Sequence, residues 1–103
     1  MESITFPVPF FNNRSACYLK VGHHQGALKD ATSALGLIDP DDESSRRDRL
    51  KALARRATAL AQLGLLEQAL GEFDAALKLA PKHEGLLADR ENVRRLMVGT
   101  GEE

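Results

Sequence analysis

The chain has 103 residues, of which 43% are hydrophobic and 28% charged, and its formal net charge is −1. That is one domain at most, large enough to bury a core but with little surplus. Near-neutrality argues against a general nucleic-acid or membrane binder, whose affinity rests on excess Lys and Arg. The single cysteine, Cys17, excludes an internal disulfide framework and fits a reducing compartment, so a cytoplasmic location is expected.

The opening "MESITFPVPF" carries an acid, two prolines and no basic region, so it does not have the pattern of a secretory signal. Each proline disfavours helix at the residue before it, which predicts an extended lead-in over 1–9. No apolar run approaches the roughly 20 residues that span a bilayer.

From residue 10 a pattern sets in and then returns. The stretches "YLKVGHHQGALKDATSALGL" (18–37) and "LAQLGLLEQALGEFDAALKL" (60–79) align without a gap, Gly22 falling on Gly64, Ala27 on Ala69 and Ala34 on Ala76. Each unit reads as a helix, a turn at the glycine, a second helix, and a stop at Pro40 or Pro81. Antiparallel helices approach closely only where side chains are small, so Ala27 and Ala69 are expected at the crossings. Phe11, Tyr18, Leu53, Leu60 and Phe73 are then expected to fill the space between helices. Leu50, Leu53, Ala54, Ala57, Leu60 and Ala61 recur at three- and four-residue steps, a helical apolar stripe, and Cys17 falls in the matching first stripe and is expected in the core.

Between the units, "DPDDESSRRD" (39–48) describes a loop and a helix start. Ser44 or Ser45 is expected to cap that helix, with Asp41, Asp42 and Glu43 near its positive end. The glycine and terminal glutamate of a calcium-binding EF-hand loop are missing. After Pro81, Leu86, Leu87, Val93, Leu96 and Met97 predict one more helix, a lid over the last pair.

The expected fold is therefore all-α: a repeat over 10–40, a loop at 39–48, a repeat over 49–82, a capping helix over 83–98 and a tail over 99–103. Two antiparallel pairs plus a cap fall short of the three repeats such stacks usually need, which implies a missing upstream repeat. Leaving that face bare exposes Ile4, Phe6, Val8 and Phe10 of "ITFPVPFF" and gives a route to self-association.

This organisation is similar to the tetratricopeptide repeat, an α-solenoid unit of about 34 residues. Here Gly22 and Gly64 are 42 residues apart, the excess lying in the 39–48 loop. In such a stack the first helix of each pair lines the inner surface. That face carries Asn13, Ala16 and Lys20 on one helix and Lys51, Arg55, Thr58 and Gln62 on the next. Lys51 and Arg55, four residues apart, point the same way. Two cations and an amide suit a carboxylate ligand, with Arg offering two donors and Lys a point charge.

Asn13 before Arg14, and Lys51 four residues before Arg55, resemble the carboxylate clamp of tetratricopeptide co-chaperones. The resemblance implies that Asn13, Lys51 and Arg55 hold the acidic C-terminal tail, Glu-Glu-Val-Asp, of Hsp70 or Hsp90, with Lys20, Thr58 and Gln62 as secondary contacts. The clamp's remaining Lys and Asn come from a preceding repeat that this stretch lacks, so the match is incomplete. The long loop, "RRATALAQLGLLEQALGEFDAALKLAPKHE" and "VRRLMVGTGEE" resemble the branch of that family devoted to axonemal dynein assembly. Other assembly-factor proteins are then implied as partners, with an upstream CS domain and a further repeat.

The remaining chemistry-bearing residues have plainer explanations. Arg46, Arg47, Arg49, Arg56, Arg94 and Arg95 are interspersed with acids and are expected in solvated ion pairs. His23 and His24 belong to a turn, and no Cys or Asp cluster gives His83 zinc-site spacing. No nucleophile, base and orienting group occur together and no phosphate loop appears. No catalytic residue, metal or cofactor is expected. A self-associating structural module is the competing expectation, and a nucleic-acid binder the least favoured.

Overall fold

The computed structural model describes residues 6–99, and among these every regular element is helical. Helices α1 (Val8–Lys20) and α2 (His24–Leu37) form one pair, and α3 (Arg46–Gln62) and α4 (Leu66–Leu79) the next. The closing helix is α5 (Glu84–Gly99). Neighbours in sequence pack together, and α3 also meets α1 and α2. No described helix is long and apolar enough to cross a membrane. Residues 1–5, in the expected lead-in, and Thr100 to Glu103, in the tail, lie outside the described part.

Helix α1 takes in Val8 and Pro9, which the proline rule assigned to the lead-in. Pro7 occupies the cap position and Pro9 the first turn, where a missing N–H removes a donor that has no helical partner anyway. Both pairs turn in the same way. His23 N–H donates to the Tyr18 carbonyl at 2.8 Å and Gly22 N–H to Leu19 at 3.2 Å, while Leu65 bonds Leu60 at 2.9 Å and Gly64 bonds Ala61 at 3.0 Å. These are the paired bonds of a Schellman ending, which needs a left-handed residue. Gly22 and Gly64 supply it with φ of 79° and 84°.

The loop between the pairs corrects the expected serine cap. Ser45 holds the cap position of α3, but its side chain caps none of the helix's N–H groups. Asp42 organises the preceding 3₁₀ turn instead, accepting from Ser44 N–H at 3.0 Å and the Ser44 hydroxyl at 2.7 Å. Those bonds favour the charged form and hold the Asp42 carboxyl below its ordinary range. Arg49 donates to the Pro40 carbonyl, and Arg46 reaches the Leu79 carbonyl at 2.6 Å, tying the start of α3 to the end of α4.

The core is unevenly distributed. Ala57, Leu60, Ala69, Phe73, Ala76, Leu77, Leu86 and Val93 form one buried cluster across α3, α4 and α5. Ala27, Ala31, Ala34 and Ala69 are fully buried, which permits the close helix approach expected at Ala27 and Ala69. The first pair buries polar groups as well: Asn12, Ser15 and Asp30. The Ser15 hydroxyl donates to the Ala27 carbonyl at 2.8 Å, so a buried donor is satisfied across the crossing. Leu60 and Phe73 fill the interior as expected. Phe11 and Tyr18 are only half buried: Phe11 meets Phe10 edge-on at 5.3 Å, with Phe6 stacked on Phe10 at 4.5 Å, and Tyr18 packs against the His23 ring at 4.8 Å. Cys17 is exposed, contrary to the core expectation. The buried stripe of α1 runs through Asn12 and Ser15, and Cys17 lies off it.

A charged strut recurs at three helix crossings, α1–α2, α3–α4 and α4–α5. Arg14 grips Asp30 with bonds of 2.7 and 2.8 Å, and Arg56 grips Glu72 with bonds of 3.0 and 2.9 Å. Arg90 donates to Asp74 at 3.1 Å. Each pair spans 16 residues. Arg14 also lies 4.9 Å above the centre of the Phe10 ring, a cation–π contact.

Two predictions concern stability. The carboxylates of the struts are 3%, 22% and 47% exposed for Asp30, Glu72 and Asp74. Removing an arginine costs most where the acid left behind is buried. Thermal melts should therefore rank Arg14→Ala least stable, then Arg56→Ala, then Arg90→Ala; equal losses would show that burial of the acid does not set the strut's value. A Cβ at Gly22 or Gly64 meets nothing within 4 Å, so the cost of alanine is backbone strain alone, about 1 kcal/mol at either site. A urea midpoint unchanged in both single variants would contradict the left-handed turns.

Candidate functional site

Helix α3 carries six cations, and their fates divide sharply. Arg46, Arg49 and Arg56 are bonded to other elements, to the Leu79 carbonyl, the Pro40 carbonyl and Glu72 respectively. Arg47, Lys51 and Arg55 recur every four residues along one stripe. All three line a single cavity of about 510 Å³ between α3 and the start of α5, with His83, Gly85 and Asp89 opposite. None of the three is in an ion pair among the described residues. The solvated-pair expectation thus holds for Arg46 and fails for Arg47.

Arg55 is the most enclosed of the three. Its Nε is buried without a hydrogen-bond partner, and burial pushes the guanidinium below its ordinary pKa. Desolvating a cation is unfavourable unless an anion or acceptor compensates it. Lys51 one turn away is exposed. The cavity therefore presents one solvated and one half-buried cation side by side, suited to a carboxylate that both can reach.

Beyond Asp89 the groove continues into a second cavity of about 580 Å³, lined by Thr58, Gln62, Phe73, Asp89, Asn92 and Arg95 among others. The Thr58 hydroxyl donates to the Ala54 carbonyl at 2.9 Å, leaving its oxygen to accept. Gln62 and Asn92 offer both donors and acceptors, while Phe73 contributes an apolar floor. The structure thus brings Lys51 and Arg55 together in one cavity and Thr58 and Gln62 in the next. Asn13 is exposed on α1 and Lys20 lies in the last turn of that helix; neither lines these two cavities.

The residue before Asn13 has a different task. Asn12 is buried and donates to the Asp48 carbonyl at 3.2 Å, fixing α1 against the first turn of α3. The histidines also act locally: His23 Nδ1 accepts from Gly26 N–H at 3.0 Å and His83 Nδ1 from Leu86 N–H at 3.2 Å. Each closes the first turn of its helix. Among the described residues no group of His, Cys, Asp and Glu is arranged to hold a metal ion.

The chain is 38% identical over 88 residues to dynein axonemal assembly factor 4 of Rattus norvegicus and to that of Mus musculus. Those matches cover 85% of this chain and 21% of each relative. Protein unc-45 homolog B of Xenopus tropicalis is 38% identical over 86 residues, covering 84% of this chain and 8% of that protein. Over the matched residues the chain is thus similar to a dynein axonemal assembly factor and to protein unc-45 homolog B. It spans about a fifth of the length of the assembly factors and under a tenth of unc-45 homolog B. No protein-family model matches it. The all-helical fold with packed adjacent pairs is that of a tetratricopeptide-type fragment.

Three features of this repeat module escape a reading of the sequence by charge and periodicity. Arg47 was legible in principle, one turn before Lys51, but acids nearby made it look neutralised. The struts had a signal too: Arg14 and Arg56 occupy matching positions, each with an acid 16 residues on. Burial of Asn12 rather than Asn13 had none, because adjacent asparagines are interchangeable in sequence and differ only by helical phase.

Proposed function

We propose that this chain is the protein-interaction module of a co-chaperone, capturing acidic C-terminal tails such as those of Hsp70 and Hsp90 through their terminal carboxylate. The observation that carries this is the shared cavity of Lys51 and Arg55, in which a half-buried guanidinium has no acid of its own. Lys51 gives attraction at range and Arg55 a directional pair of donors. In this reading Asn13, exposed on α1 outside that cavity, supplies an amide from the α1 side, with Lys20, Thr58 and Gln62 as outer contacts. Likeness to dynein axonemal assembly factor 4 supports a cytoplasmic role in axonemal dynein assembly, alongside other assembly factors. Nothing in this role calls for catalysis or a cofactor.

Titration calorimetry with a peptide ending Glu-Glu-Val-Asp tests the proposal. Binding near micromolar, about −8 kcal/mol, is expected, lost when the C-terminus is amidated and weakened at least tenfold in Lys51→Ala, Arg55→Ala. Equal binding of the amidated peptide would overturn carboxylate capture.

A second reading has its own observation. Leu96 and Val98 of α5 are 54% and 64% exposed, and Phe6 at the other end 49%, so both ends of the stack offer apolar surface for assembly. Sedimentation would then show association that rises with concentration and weakens in Leu96→Ser; a monomer throughout would remove it.

A further inference from the structure

We propose that His83 is a proton-operated latch on α5: its neutral ring pins the first turn of the helix, and protonation releases that turn and the groove wall it forms. The latch operates whatever occupies the groove. Leu86 N–H is one of the first-turn donors that a helix leaves without a carbonyl acceptor, and it donates to His83 Nδ1 at 3.2 Å. Imidazole accepts this bond only while Nδ1 is unprotonated; imidazolium donates from both nitrogens and accepts at neither. A positive charge at that end also opposes the helix dipole.

The same device serves α2, where His23 Nδ1 accepts from Gly26 N–H at 3.0 Å. In both places a glycine makes room for the ring. A Cβ at Gly26 would stand 2.5 Å from His23 Nδ1, and one at Gly85 would stand 3.2 Å from His83 Cε1. His83 differs from His23 in what it faces. It lines the cavity with Arg47, Lys51 and Arg55 of α3 and Asp89 of α5, and Lys82 and Glu84 flank it in sequence. Cations outnumber acids around the ring, so local charge and the cap bond both disfavour imidazolium. The cap is thus complete at neutral pH and is lost as pH falls through the range, about 6.5, in which histidine ordinarily takes up a proton.

Loss of the cap reaches the groove through the residues of that turn. Leu86, whose N–H is capped, is 4% exposed and belongs to the buried cluster. Gly85 and Asp89, on either side of it, line the cavity. Helix α5 packs chiefly against α4, so it has fewer neighbours than α3 to hold it once the turn opens.

Nitrogen-15 NMR and urea melts of the 103-residue chain, native and as His83→Asn, test the latch. Asparagine caps a helix with an oxygen that does not titrate. At neutral pH the native His83 is expected as the Nε2–H tautomer. On acidification to about pH 5.5, below histidine's ordinary titration, the Leu86, Gly85 and Asp89 amide signals should shift in step with protonation of its ring. His83→Asn should lack that step. Over the same interval the unfolding constant of the native chain should rise about fivefold more than that of His83→Asn, the usual worth of an N-cap; other titrating groups are common to both and cancel. His83→Ala, uncapped at every pH, should show no such excess. An Nδ1–H tautomer at neutral pH overturns the latch, as does an equal pH response of the native and His83→Asn chains. A shift confined to Leu86, with Gly85 and Asp89 unmoved, overturns release of the wall.

Discussion

The position of α3 is the constraint on which the rest of the molecule depends. It packs against α1, α2 and α4, so most of its circumference is committed to other helices. Ala52, Ala57 and Ala59 are fully buried, and their small side chains let several helices approach one axis. Cations on the committed faces must find partners inside the protein. Arg56 does so with Glu72, and Arg46 and Arg49 do so with carbonyls at the ends of neighbouring elements. Only the stripe facing the α5 groove remains uncommitted, and Arg47, Lys51 and Arg55 occupy it. The cationic wall is thus a consequence of packing as much as of composition.

The two pairs solve the same geometric problem with different chemistry. Matching positions hold Ser15 and Ala57, Ala31 and Phe73, and Asp30 and Glu72. The second pair, sandwiched between α2 and α5, closes around Phe73. The first pair has Ala31 where Phe73 would be, and it buries Ser15 and Asp30, each with a partner on the facing helix. Apolar packing tolerates many arrangements, whereas buried polar pairs are satisfied in one register only. The first pair is therefore fixed by directional bonds and the second by volume.

This division explains what could be read from the sequence. Helix pairs, glycine turns and the closing helix were legible because small and large apolar residues recur with helical period and a glycine marks each left-handed turn. The Lys51–Arg55 neighbourhood was legible for the same reason, since four-residue spacing puts side chains on one face whatever surrounds them. Cys17 was misplaced because the α1 stripe is partly polar; searching for apolar residues selects the wrong phase when Asn12 and Ser15 are the buried ones. The cap of α3 was misplaced because the hydroxyls of Ser44 and Ser45 both turn back to donate to Asp42 instead of accepting from the first N–H groups of the helix. Arg47 was obscured because sequence proximity to acids does not reveal which acids are already engaged. Glu43, a candidate partner, lies 3.8 Å from Arg46 instead.

A net charge of −1 is compatible with a strongly cationic site because neutralisation here is local. Asp30, Glu72 and Asp74 cancel arginines at helix crossings, where the pairs stiffen the stack. Those acids are thereby unavailable to the groove. Arg55 then carries the cost of partial burial with no ion pair among the described residues to offset it, a cost that a bound anion would relieve. Among the described residues the Lys51 and Arg47 side chains have no partner to surrender either. A groove built in this way requires no ion pair among the described residues to be broken before a ligand is held, and the remaining cost is the ordering of the exposed Arg47 and Lys51 side chains.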